Sequence, residues 1–225
     1  MQQIRASVTG TKPTTAEESL MPANDLTGNV IEPELGRHIL AELADLNADF
    51  ISLIKSTESC IHRPSLPDEQ IEQLRALSKP AVRRLTNCAF ALFDLRLQDA
   101  DLWRALGDGK PPKGFSVNDA LGGNELHGPV RLFTLSALMY LRHLSDINRF
   151  FAKLSFGVSP EVLEIVSKLA INQLREIANR YPTLLCGRFG QHPQAWTDLL
   201  KLAKRNDTEP MLPAKILGYK HLYQQ

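Results

Sequence analysis

A segment of fourteen residues occurs twice in this 225-residue chain, and this repeat constrains the fold more than any other feature. Leu40 to Leu53 has the pattern Leu-x-x-Leu-x-Asp-Leu-Asn-x-x-Phe-x-x-Leu, and Leu141 to Leu154 repeats it with one Leu replaced by Ile. Apolar residues spaced by three and four predict an amphipathic helix in each copy. Helical periodicity does not require the matched Asp and Asn, so they indicate a duplicated sequence.

The similarity continues beyond these two helices, after a loop that is shorter in the second copy. The matches that apolar periodicity does not explain are Arg83 with Arg175, Asn87 with Asn179, Arg96 with Arg188, and Trp103 with Trp196. They predict two tandem units of roughly 70 residues, at 36–106 and 131–205, with one common order of helices. Packing the two long helices together would bury both apolar stripes, as in a pseudo-dimer.

The rest of the chain is predicted from its local composition. Residues 1–35 lack a sustained apolar period and are expected to form a flexible arm. The stretch 107–130 is predicted to be a linker, because 107–129 holds six glycines and three prolines. Residues 206–225 are a C-terminal tail. The predicted fold class is mainly α, with short strands or extended segments near 89–97 and 184–189.

Composition excludes several classes of protein. Apolar residues make up 43% of the chain and charged residues 23%, which argues against a wholly disordered protein. No stretch is long and apolar enough for a membrane-spanning helix, and the N-terminus lacks the apolar core of a signal peptide. The three cysteines are scattered, as reduced thiols in a cytoplasm would be. We therefore expect a cytoplasmic protein without a membrane partner.

The sequence offers little for catalysis or metal binding. The best metal-binding pair is Cys60-x-His62, which lies alone in a Ser/Pro-rich stretch. Leu121-Gly122-Gly123-Asn124 lacks the Lys-Ser/Thr that follows a phosphate-binding loop. Cys186 has no evident base beside it, so a buried structural thiol explains it better than a nucleophile. The sequence therefore predicts no enzyme, no cofactor and no metal site.

Charge is unevenly distributed along the chain although the net charge is only +1. Residues 1–130 carry a net charge of −5, whereas residues 131–225 carry +6. A basic C-terminal half is typical of proteins that bind a polyanion, although solvated basic faces without a ligand are also common.

A pair of short helices in the basic half resembles a helix-turn-helix. Ser159-Pro160-Glu161 is a typical helix start, and this helix is predicted to end near Leu169. A second helix is predicted to run to Arg180 and to be stopped by Tyr181-Pro182. Side chains on the outer faces suit base edges and phosphates. The candidate DNA-binding residues are Lys168, Asn172, Gln173, Arg175, Asn179, Arg180, Arg188, Lys201, Lys204 and Arg205.

Each of these candidates also has a structural explanation. Arg188 recurs as Arg96 and could be a pairing group that both units share. The three cations at 201–205 suit the C-terminus of a helix. Arg175 has its counterpart in Arg83, so an ion pair within the protein is the alternative to a DNA contact for this residue.

The second unit resembles the FlhD family of bacterial transcriptional activator subunits. The similarity covers residues 140–200 well and 40–106 more faintly. The matching motifs are Leu144-x-Asp146-Ile147-Asn148-x-x-Phe151-x-x-Leu154, Gly157-Val158-Ser159-Pro160-Glu161, Leu169-x-x-x-Gln173-Leu174-x-x-Ile177-Ala178 and Leu184-Leu185-Cys186-x-x-Phe189. The chain is also similar to FlhD-like regulators of integrating conjugative elements.

This resemblance implies an all-helical, DNA-associated activator subunit that acts on double-stranded promoter DNA. It implies a hetero-complex with a zinc-containing FlhC-like partner and the regulation of flagellar or mobile-element transfer genes. Members of the family form dimers, so two copies in one chain suggest an internal pseudo-dimer, and further homo-oligomers are possible partners. The alternative is a helical protein–protein adaptor without DNA contact, which the acidic N-terminal half favours.

Overall fold

The structure is a computed structural model that describes residues 33–56, 66–113, 128–190 and 192–205. The Cys60–His62 pair, the middle of the predicted linker and the C-terminal tail lie outside the described residues. The predicted N-terminal arm also lies outside them, except that Pro33–Leu35 already belong to the first helix.

The prediction of a mainly helical protein is confirmed. The first half, residues 33–107, contains α1 (Pro33–Ser56), α2 (Asp68–Arg75), α3 (Lys79–Thr86), β1 (Phe93–Asp94) and α4 (Ala100–Gly107). The second half, residues 128–204, contains α5 (Gly128–Ile147), α6 (Arg149–Phe156), α7 (Pro160–Lys168), α8 (Ile171–Arg180), a 3-10 turn (Pro182–Leu184), β2 (Cys186–Gly187) and α9 (Pro193–Lys204). Both strands lie within the segments that were predicted to be extended.

Side-chain caps explain where several helices begin. Ser78, Asp99 and Ser159 each accept a hydrogen bond from the backbone N–H three residues later, at 3.4, 3.0 and 3.2 Å. Each cap satisfies a backbone donor that has no partner within its own helix. The helix start predicted at Ser159 is confirmed, and so is the stop before Pro182.

The repeat predicts one helix over residues 141–154, and this prediction is wrong in one respect, because the helix breaks at Asn148. The Asn148 side chain accepts a hydrogen bond from Phe151 N at 2.8 Å and thereby starts α6 as a new helix. Gly157 ends α6 with φ +63°, a left-handed conformation that glycine adopts without a Cβ clash. The second half therefore has two helices where the first half has the single helix α1.

The core forms where the long helices α1 and α5 pack against each other. Phe50 of α1, Phe93 of β1 and Phe133 of α5 are buried with ring centroids 4.9–5.8 Å apart. Phe156 joins this group at 5.9 Å from Phe93. The Tyr140 hydroxyl of α5 donates to the Ile39 carbonyl of α1 at 2.8 Å, which adds a polar link. This contact joins the two long helices through part of their apolar faces.

The last helix of each half packs against the other half. Helix α4 lies against α7, and α9 lies against α2 and α3. Arg104 of α4 forms an ion pair with Glu161 of α7 at 2.6 Å, and Arg84 Nε of α3 donates to the Ala203 carbonyl of α9 at 3.0 Å. Strand β1 of the first half pairs antiparallel with strand β2 of the second half. Phe93 lies opposite Gly187, and Asp94 lies opposite Cys186.

No helix in the described ranges is long and apolar enough to cross a lipid bilayer.

Candidate nucleic-acid interface

The predicted helix pair is formed by α7 and α8, which are joined by Leu169 and Ala170. The joint is fixed by Gln173, whose side-chain carbonyl accepts a hydrogen bond from Ala170 N at 2.8 Å. Leu174, Ile177 and Ala178 are buried beneath α8, as the apolar spacing predicts. Gln173 is half-buried and its side chain stabilises the turn between α7 and α8. Its side-chain carbonyl is therefore already hydrogen-bonded within the protein, unlike that of a residue that contacts DNA from the outer face.

The other candidates on this pair are exposed. Asn172, Arg175, Asn179 and Arg180 lie on the outer side of α8, and Lys168 ends α7. This arrangement leaves their polar groups accessible to a ligand, as the amphipathic pattern predicts.

Carboxylates of the same helices neutralise part of this positive charge. Lys168 contacts Glu164 at 2.8 Å, and Arg149 contacts the same carboxylate at 2.5 Å. Hydrogen bonds from Lys168 and Arg149 lower the pKa of Glu164 to about 2, so it is ionised at neutral pH. Arg180 contacts Glu176 at 2.6 Å. The α7–α8 pair thus has a mixed-charge surface.

Arg188 lies in the interior, not on the surface that was predicted to bind DNA. It is 6% exposed, and its guanidinium donates to the carbonyls of Ser155 at 2.6 Å and Ala91 at 3.3 Å. Burial lowers its pKa to about 10, so it is still protonated at neutral pH. The rings of Phe90 and Phe189 lie 6.0 and 5.5 Å from it. These contacts favour the structural alternative for Arg188.

The remaining candidates, Lys201, Lys204 and Arg205, are exposed at the end of α9. Because α9 packs on α3, this end lies beside a helix of the first half. The Arg84 contact to Ala203 fixes the two elements directly next to the cations of α9. The three cations lie at the C-terminus of a helix, as their structural explanation requires, and also beside a helix that is distant in sequence.

Sequence reasoning missed the cations of α3. Lys79 and Arg83 are exposed and Arg84 is half-buried. The end of α9 packs beside α3, and we call the cations of these two elements, Lys79, Arg83, Arg84, Lys201, Lys204 and Arg205, the α3–α9 cationic surface. Among the described residues, no carboxylate lies within 4.0 Å of these six side chains. Asp45 lines the same groove as Lys79 and Arg83.

A local signal for these residues exists in the sequence. Helix α3 reads Lys-Pro-Ala-Val-Arg-Arg-Leu-Thr and holds three cations without an acid. Counting charge over residues 1–130 hides it, because acids elsewhere make that stretch net negative. Counting charge over a window the length of one helix identifies these three cations.

The thiols do not form a reactive centre in the described part of the chain. Burial raises the pKa of Cys186 to about 12, so its thiol stays protonated and weakly nucleophilic at neutral pH. Cys88 is buried, and its Sγ lies 3.1 Å from the Phe90 carbonyl. Within the described ranges, no group of three His, Cys, Asp or Glu side chains could hold a metal ion.

Comparison of the chain with protein-family models, with curated proteins and with solved structures finds no match.

Proposed function

We propose that this protein is a DNA-associated transcriptional activator subunit of the FlhD-like type, in which two helical units in one chain take the place of a dimer. It acts with an FlhC-like partner on double-stranded promoter DNA of flagellar or mobile-element transfer genes. The observation that carries the DNA contact is the α3–α9 cationic surface.

The order of elements supports a duplication. In each half a long helical segment is followed by two short helices, a two-residue strand and a final helix. Trp103 donates its indole N–H to the Arg96 carbonyl at 3.2 Å, and Trp196 donates to the Arg188 carbonyl at 2.5 Å. In each half a residue with positive φ lies seven positions before the tryptophan: Arg96 at 54° in the first and Phe189 at 62° in the second. Such backbone details are not required by helical packing.

The strand register supports a pseudo-two-fold relation between the units. Counted back ten residues from the tryptophan of each half, Phe93 corresponds to Cys186 and Asp94 to Gly187, a register shifted by one residue from the sequence match of Arg96 with Arg188. In the sheet, Phe93 pairs with Gly187 and Asp94 pairs with Cys186. Equivalent positions therefore pair crosswise, as a two-fold axis requires. Helices α4 and α9 each pack against short helices of the other half, α4 on α7 and α9 on α2 and α3.

The α3–α9 cationic surface suits a phosphate backbone better than the α7–α8 pair does. Helix α3 occupies in the first half the place that α8 occupies in the second, as the second helix of a helix-turn-helix-like pair. Its cations are not neutralised by described carboxylates, whereas Lys168 and Arg180 are. Lysine and arginine side chains at such a surface bind DNA by releasing condensed counterions.

Replacing Lys79, Arg83 and Lys204 together by alanine is expected to weaken binding to duplex DNA. If all three contact phosphates, the slope of log affinity against log salt should become shallower by about three units. The measurement is a fluorescence-anisotropy titration at several salt concentrations, with the FlhC-like partner present. Arg180→Ala is the matched control, because the Glu176 ion pair already occupies that guanidinium. An unchanged salt slope in the triple variant would exclude this surface from DNA binding.

Arg175→Ala tests the second helix pair independently. Arg175 is exposed at the position of α8 that corresponds to Arg83 of α3. A phosphate contact predicts uniform weakening on all sequences and a salt slope shallower by about one unit, whereas a base contact predicts a loss of about 1–3 kcal/mol on the cognate site alone. A lower melting temperature with intact binding per folded molecule would instead assign Arg175 to the stability of the fold.

The second candidate function is a helical adaptor that binds only protein. The mixed charge of the α7–α8 pair favours it, since ion pairs there leave less positive field for a polyanion. Intact DNA binding after loss of all six cations of the α3–α9 cationic surface would show that the DNA contact comes from elsewhere in the complex. The adaptor would then be the better description of this chain.

A further inference from the structure

A groove runs between α1 and α3 on the surface of the first half and has a volume of about 580 Å³. Its floor is the face of α1 that carries small side chains at helical spacing, namely Ala41, Ala44, Ala48 and Ser52. Val82 and Thr86 of α3 form part of the opposite wall. The groove is therefore an apolar trough between two helices.

The second half carries longer side chains where the first half has alanines. In the sequence repeat, Ala41 corresponds to Arg142 and Ala48 to Arg149. Arg149 pairs with Glu164 of α7 at 2.5 Å. The two halves thus differ at these positions, and α1 carries the smaller side chains.

The rim of the groove is mainly cationic. Lys79 and Arg83 line the groove at the α3 side, are exposed, and have no described carboxylate within 4.0 Å. Lys55 lies at one end, where its Nζ also donates to the Leu77 carbonyl at 2.8 Å. Asp45 is the acid among the lining residues. An occupant that complements three cations and one anion carries several carboxylates.

We propose that this groove binds an acidic amphipathic helix of a partner protein. The floor from Ala41 to Lys55 is about 21 Å long at 1.5 Å per residue, which matches roughly four helical turns. Alanine methyl groups let the backbone of the partner helix approach closely, and its apolar residues fill the trough at spacings of three and four. Its flanking carboxylates meet Lys79 and Arg83 at the rim.

The groove suits such a helix better than it suits DNA or a second copy of this chain. A phosphate backbone cannot use an alanine-lined floor. Lys79 and Arg83 at the rim belong to both proposals, so a bound partner helix and DNA would compete for these two cations. Three of the most exposed large apolar side chains of this protein, Leu132, Phe150 and Ile171, belong to the half with net positive charge. Docking them into the groove would bring like charges together.

The test uses the full chain and a designed helical peptide of about 16 residues, with leucine and alanine on one face and glutamate on the other. Its control is the same peptide with every glutamate replaced by lysine. The glutamate peptide is expected to bind in a fluorescence-anisotropy titration, and the lysine peptide to bind at least about tenfold more weakly. Equal binding of the two peptides, or no binding of the glutamate peptide, overturns the proposal.

The groove itself is tested by the double variant Ala44→Gln/Ala48→Gln. Glutamine favours helices and is uncharged, so it fills the trough without changing the electrostatic field. Binding of the glutamate peptide should fall at least about tenfold, whereas Ala76→Gln, at an exposed position outside the groove, should leave it unchanged. Circular dichroism should show an unchanged melting temperature for both variants.

Duplex DNA and the oligomeric state separate this proposal from the proposed function. The double variant should bind duplex DNA as the unmodified chain does, because the outer cations remain in place. A loss of DNA binding in this variant would assign the groove to DNA and overturn the partner-helix proposal. A dimer in sedimentation that the double variant converts to a monomer would assign the groove to a second copy and overturn it equally.

Discussion

Replacing Phe93 by alanine is expected to lower the free energy of unfolding by about 3–5 kcal/mol. Phe93 is 1% exposed, and its ring lies 4.9–5.9 Å from the rings of Phe50, Phe133 and Phe156. The truncation removes buried apolar area and leaves a cavity where α1, α5, α6 and β1 meet, and neighbours attached to four elements cannot easily collapse into it. Urea unfolding followed by circular dichroism measures the loss.

Two other phenylalanines provide the controls for this prediction. Phe150→Ala should change stability little, because its side chain is 60% exposed. Phe151, which the sequence repeat pairs with buried Phe50, is only half-buried, so Phe151→Ala should cost less than Phe93→Ala. A Phe93→Ala protein as stable as Phe150→Ala would mean that the aromatic cluster is not the core between the two halves.

Replacing Asn47 by alanine is expected to destabilise the protein by about 2–4 kcal/mol. Asn47 is fully buried in α1, and its side-chain carbonyl accepts from Leu92 N at 2.8 Å while its amide donates to the Phe90 carbonyl at 3.0 Å and the Thr86 carbonyl at 3.3 Å. The substitution leaves these buried backbone groups without that partner. Each such group costs about 1–3 kcal/mol when it loses its hydrogen bond in the interior.

The matched substitution is Asn87→Ala, at an exposed position that ends α3. It removes the same side chain from the same region without leaving buried groups unpaired, so its effect should stay within about 0.5 kcal/mol. Equal losses in the two variants would show that the segment 86–92 does not depend on Asn47. A larger loss for Asn47→Ala would be accompanied by faster hydrogen exchange at Leu92 N.

Helix periodicity and capping residues allowed much of the local structure to be predicted. The apolar stripes from Leu40 and from Leu141 predict helices, and Ser159-Pro160 predicts the start of α7, because these signals act within one or two turns. These predictions depend on neighbours in sequence, which is why they need no knowledge of the fold. The expected packing of the two long helices against each other depends instead on contacts between residues far apart in the chain.

The candidate site was only partly predictable for a different reason. Whether Arg188 faces solvent depends on Ala91 and Ser155, which lie 97 and 33 residues away. Helix α3 lies close to the end of α9 because the last helix of the second half packs against the first half. Charge counted along the chain cannot show that cations at 79–84 and 201–205 share one surface.

The matched asparagines show most clearly what the sequence determined and what tertiary structure decided. The repeat by itself established that Asn47 and Asn148 occupy equivalent positions in two apolar helical patterns. Asn47 lies inside an unbroken helix because its amide is satisfied by the segment 86–92, whereas Asn148 turns to Phe151 N and starts a new helix. An asparagine side chain can form hydrogen bonds with the backbone of its own helix or with a backbone segment far away in sequence. Tertiary packing decides between the two, because it determines which segment lies within hydrogen-bonding distance.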